Sequence, residues 1–140
     1  MKLPALNSNI STDTDNGSIS INESVLISII KDAAEQVPGV IRLTSTGSFA
    51  ETMAYMIGRT KSKPDSVTIK WASKELFVSV KIIISYGINV HDLGHKVQMA
   101  IAQSIKTMAQ IEPSAIDVYI ENVEGEETNQ KLYEFIEPIV

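Results

Sequence analysis

Two histidines four residues apart, His91 and His95 in HDLGH, are the pair in this chain whose spacing most suggests chemistry. Residues at i and i+4 are neighbours on one face of a helix, so both imidazoles would reach one metal ion, as they do in an HExxH zinc-protease helix. The details argue against that. Asp92 stands where the motif has its Glu and is a methylene shorter, and no third ligand is evident. The pair also falls on the polar side of a helical pattern whose opposite side is apolar, so it reads as solvated surface. There is no cysteine, which excludes disulfides, thiolate zinc sites and thiol nucleophiles. The seven glycines are scattered, and none builds a G-x-G-x-x-G, P-loop or G-x-S-x-G motif. Glu126 and Glu127 are adjacent but lie in a polar stretch where nothing would tune a pKa. No catalytic residue, cofactor site or metal ligand is assigned, and the chain reads as non-enzymatic.

A second constellation is basic. Arg59, Lys61, Lys63, Lys70, Lys74 and Lys81 are interleaved with Trp71 and Phe77, which in a nucleic-acid-binding module would hold phosphates and stack on bases. This Arg59–Lys81 region is the alternative reading. Against it, Trp71 is in phase with Val67 and Ile69, as a core residue would be, and the overall net charge is −5.

The elements that must position these residues follow from hydrophobic period. Residues 1–16 are polar without a sustained period and are expected to be a flexible N-terminal tail. Gly17–Ile21 alternates as a short strand. Val25, Leu26, Ile29, Ile30, Ala33 and Val37 recur at helical spacing, with Asn22 or Ser20 as cap and Pro38-Gly39 as stop. Val40–Thr46 reads as a strand. In residues 47–65, Phe49, Met53, Met56 and Ile57 suit one face of a short helix. Ser66–Trp71 and Leu76–Tyr86 alternate as a hairpin, with Phe77 and Ile83 on a second, partly covered face. A second long helix follows from Asn89, carrying Val90, Leu93, Val97, Ile101, Ile105 and Met108. Ile116, Val118 and Ile120 form the last strand. Two amphipathic helices on one face of a mainly antiparallel sheet make a two-layer α+β sandwich.

At 140 residues, with 44% hydrophobic and 21% charged residues, the chain is long enough for one ordinary core. It shows no signal peptide, and its densest apolar run, Val78–Ile84, is too short to span a bilayer. From Glu112 onward eight acidic residues face Lys131 alone, whereas residues 1–111 hold eleven basic and nine acidic residues. The segment 126–140 is acidic and then apolar. Leu132, Phe135 and Ile136 fall at helical spacing and are the candidate association residues, because several large apolar side chains at a terminus invite contact.

Several of these motifs occur together in a known order. GSISINESVLISIIKDAAEQVPGV at 17–40, VKIIISYGINV at 80–90, VQMAIAQSI at 97–105 and IDVYIENVEG at 116–125 make the chain resemble the alkaline shock/general stress protein family of bacterial envelope stress response proteins. The features that carry the resemblance are Ile19 and Ile21, Gly39-Val40, Tyr86-Gly87 and Val97-Gln98, and residues 47–65 match least. The resemblance implies an α+β domain over 17–125 with no catalytic residues and no cofactor. It implies a homo-oligomer acting in cell-envelope homeostasis by partner binding. It also implies a cytoplasmic location, peripheral to the inner face of the membrane through a separate membrane-anchor protein. Nucleic acid is not an expected partner.

Overall fold

The computed structural model describes residues 9–44, 53, 56–58 and 65–125. In chain order the elements are β1 (Asn9–Thr14), β2 (Gly17–Asn22), α1 (Glu23–Glu35), β3 (Val40–Leu43), β4 (Val67–Ala72), β5 (Glu75–Ser85), α2 (Val90–Ala109) and β6 (Ala115–Glu124).

Both helices begin where an asparagine satisfies an otherwise orphaned N–H. Asn22 Oδ1 accepts from the Ser24 N–H at 2.9 Å, and Asn89 Oδ1 accepts from the Asp92 N–H at 3.0 Å. Helix α1 buries Leu26, Ile29, Ile30, Ala33 and Ala34, and α2 buries Leu93, Val97, Ile101 and Ile105. The helical period is therefore the one the sequence predicts. Its ends differ: Val25, Val90 and Met108 lie at the margins of the stripe and are exposed. Helix α1 leaves through Gly39 at φ +105°, where a Cβ would stand 2.6 Å from Ile88 Cδ1. Only glycine meets both requirements there.

The central strand is β5. Leu76, Val78, Val80, Ile82 and Ile84 point to the helical layer and are buried in one cluster with the apolar faces of α1 and α2. Each such side chain contributes about 1.5–3 kcal/mol on burial. Strand β4 pairs antiparallel with the first part of β5 (Val67↔Val80 to Ala72↔Glu75), and β3 pairs antiparallel with its end (Leu43↔Ile82, Val40↔Ile84). These two share one edge of β5 and hand over at Lys81, whose N–H bonds the Ser66 carbonyl and whose carbonyl accepts the Thr44 N–H. Strand β6 takes the other edge in parallel, from Phe77↔Ala115 to Ser85↔Glu124, with a register shift near Ile83. The β4–β5 turn has Ser73 and Lys74 at φ 52° and 63°, the left-handed pair of a two-residue hairpin. The architecture is the two-layer α+β sandwich, mainly antiparallel, with one parallel pairing.

The N-terminal expectation needs correction. Within the stretch read as a flexible tail over 1–16, Asn9–Thr14 is a strand paired antiparallel with β2, from Asn9↔Asn22 to Thr14↔Gly17. Asp15-Asn16 makes the turn, with the Asn16 N–H donating to Thr14 Oγ1 at 3.2 Å and Gly17 at φ +136°. Cross-strand pairing stabilises what composition alone left unstructured. Within the 47–65 insert only Met53, Met56–Gly58 and Asp65 are described, and Phe49 lies outside the described residues. The Ile57 N–H bonds the Met53 carbonyl at 3.0 Å, and Met53, Met56 and Ile57 are exposed.

Candidate interaction surface

His91 and His95 are both exposed on the first turns of α2. No group of three or more potential metal ligands occurs among the described residues. The two imidazoles line a shallow groove between α2 and β6.

The basic constellation is only partly described: Arg59, Lys61 and Lys63 lie outside the described residues. Trp71 is paired with Leu76 and packs against the core, while Lys70 is paired with Phe77 on the opposite face of the sheet. The aromatic and its neighbouring lysine thus face opposite ways. On the Lys70 face stand Phe77, Lys81, Asp117 and Tyr119, a surface of mixed sign. That is not the uniform positive potential that phosphate binding needs.

The β1–β2 hairpin presents a different kind of surface. Its register puts Ile10, Ile21, Thr12 and Ile19 on one face. Among the described residues, only the root of that face is covered. Ile10 is buried and Ile21 packs on the core, but Ile19 is 60% exposed. Val25, in the first turn of α1, is 48% exposed. The opposite face is polar, with Ser11 Oγ and Ser20 Oγ 2.7 Å apart. An isolated two-stranded hairpin is marginal in water, and this one runs beyond its own core. The sequence reading placed Gly17–Ile21 as a strand but missed its partner. The signal was the Asp15-Asn16-Gly17 turn between two short runs.

Further apolar side chains stand on the outer side of α2, where Met99 is 71% exposed beside a groove of ≈ 400 Å³ that Lys106, Glu112 and Pro113 also line. The candidate association residues Leu132, Phe135 and Ile136 lie outside the described residues. No helix among the described residues is long and apolar enough to cross a membrane.

The chain belongs to the alkaline shock protein 23 family, described as having a cell envelope-related function, and the match covers residues 11–125. It is 18% identical over 114 residues to the uncharacterized protein Spy1614 of Streptococcus pyogenes serotype M6, covering 81% of this chain and 93% of that one. It is 19% identical over 110 residues to the uncharacterized protein YloU of Bacillus subtilis, covering 79% and 91% respectively. Among solved structures it is similar to MamM CTD variants. The nickel form of one has a TM-score of 0.49 at 17% identity, covering 72% of this chain and 99% of that one. The cadmium form of another has a TM-score of 0.48 at 18% identity, covering 72% and 96%.

Proposed function

We propose that this protein is a non-enzymatic envelope stress response protein that supports cell-envelope homeostasis by self-association and partner binding. The family supplies the envelope-related role. The observation that carries the rest is the β1–β2 hairpin, whose apolar face is anchored at Ile10 and Ile21 and then runs past its own core to an exposed Ile19. An apolar strand pair left uncovered is stabilised by a partner surface. In this reading the chain is a homo-oligomer in the cytoplasm, held at the inner face of the membrane through a separate anchor protein.

Sedimentation equilibrium of the full chain tests the reading. A mass that rises above 15.3 kDa as concentration increases through the micromolar range supports it. A monomer across the whole range contradicts it.

A further inference from the structure

Strand β6 has one edge on β5, and its other edge is free among the described residues. The hydrogen bonds of β5 fix what that edge shows. Lys81 turns its N–H to the Ser66 carbonyl (2.8 Å) and its carbonyl to the Thr44 N–H (3.0 Å). Its neighbours Val80 and Ile82 therefore face β6. Val80 is in register with Val118 and Ile82 with Ile120. In a parallel ladder this gives the bonds to Asp117, Tyr119 and Glu121 and turns the N–H and C=O of Val118 and Ile120 outward.

The chain itself closes both ends of this edge. Gln98 Nε2 donates to the Ile116 carbonyl at 2.9 Å, and the Val123 N–H donates to Asn122 Oδ1 at 2.8 Å. What stays open is a window at Val118–Ile120. Directly beside it lies the groove of ≈ 260 Å³ whose walls include Val90, His91, Gly94, His95, Val118 and Ile120. Gly94 is a second, independent sign. A Cβ there would meet no described atom within 4 Å, so nothing among the described residues calls for glycine. A glycine within a helix is destabilising relative to alanine. It leaves the α2 backbone open to close approach from the groove.

We propose that the occupant is the chain's own segment Leu132–Ile136, which adds a short antiparallel strand to β6 at Val118–Ile120. The reach is sufficient. Residues 126–131 span up to about 20 Å at ~3.3–3.6 Å per residue, whereas Ile120 is about 13 Å back along β6 from Glu124. The direction is fixed, since a chain leaving the end of β6 can return along its edge only antiparallel. The chemistry matches residue by residue. Strand alternation sets Leu132, Glu134 and Ile136 on one side. That gives two apolar side chains for Val90, Val118 and Ile120, and one carboxylate for the imidazoles of His91 and His95. Tyr133 and Phe135 then fall on the outer face of the sheet, beside the exposed Tyr119, where aromatic cross-strand pairs are favourable. This is strand addition to a sheet edge.

Amide exchange of the full chain, resolved by residue, tests the proposal. The Val118 and Ile120 amides are expected to exchange at least about 100-fold more slowly than in an unstructured chain, and tenfold dilution should leave them unchanged. Combining Leu132→Ser with Ile136→Ser should return both amides to fast exchange, while the Tyr119 amide, bonded to β5, stays protected and shows that the fold is intact. Gly94→Leu, which fills the groove from the helix side, should release the same two amides without touching the segment. Fast exchange of Val118 and Ile120 in the unaltered chain overturns the proposal. So does protection that survives either variant. Protection that is lost on dilution also overturns it, since a second copy would then supply the strand.

Discussion

Arg42 and Glu124, eighty-two positions apart, meet in a two-point ion pair, with Nη1–Oε2 and Nη2–Oε1 both at 2.8 Å. Arg42 is on β3 and Glu124 on β6, so the pair reaches across β5 on the side away from the helices. On that side, beside Arg42 in the register, is Ile83, which is only 7% exposed. The two strands that flank the end of β5 are thereby tied to each other as well as to it. Fork-to-carboxylate geometry of this kind is the strongest form of ion pair.

The pair has a definite pH signature. Hydrogen bonding from Arg42 is the main cause that holds the Glu124 carboxyl below its ordinary range; desolvation opposes it and Coulombic attraction adds to it. A lowered carboxylate pKa stabilises the fold fully above the unfolded value, about 4.3 for Glu. That contribution is lost as pH falls through the lower, folded value. Denaturant midpoints of the wild type and Glu124→Gln should differ at pH 7, with the variant less stable. They should converge on acidification through that window. High salt should narrow the difference, because both side chains are part-exposed.

Ile101 is fully buried beneath α2. Ile101→Ala should lower the unfolding free energy by about 2–5 kcal/mol, read from urea titrations with an unchanged m-value. A change near zero would remove Ile101 from the core.

His91 and His95 are exposed, and no third metal ligand stands with them among the described residues. The double change His91→Gln with His95→Gln should leave stability within about 0.5 kcal/mol, as at other surface positions. Zinc added in stoichiometric amount should leave the melting temperature of the wild type unchanged. A rise would make the pair a metal site.

With the segment released by Leu132→Ser and Ile136→Ser, Gly94→Ala should raise stability by about 0.5–1 kcal/mol, because the added methyl then meets no described atom within 4 Å. A loss of stability would mean that the groove beside α2 closes more tightly on the helix backbone than its described walls do.

The helices and β5 were legible because each carries its period over many turns or alternations: Leu26 to Ala33, Leu93 to Ile105, Leu76 to Ile84. Strand β1 was not. NISTDT holds a single large apolar residue, Ile10, so no alternation betrays it, and its order comes from pairing with β2. The Arg42–Glu124 pair was equally hidden. Sequence places Glu124 at the head of an acidic run, and only the parallel register of β6 brings it level with Ser85 and within reach of Arg42. The histidine pair shows the reverse case. The spacing was read correctly as one helical face, and the groove beside it became visible only when β6 was placed next to α2.

The central claim is that the chain works by self-association through its N-terminal hairpin, and the most direct test is the solution mass of Ile19→Ser measured beside the wild type by light scattering. Ile19 is exposed and makes no part of the core cluster, so the variant should keep the fold, read as an unchanged far-UV circular dichroism spectrum. The account predicts that the wild type is oligomeric and that the variant falls to a smaller species at the same concentration. Equal masses for the two chains, whether both oligomeric or both monomeric, would contradict it.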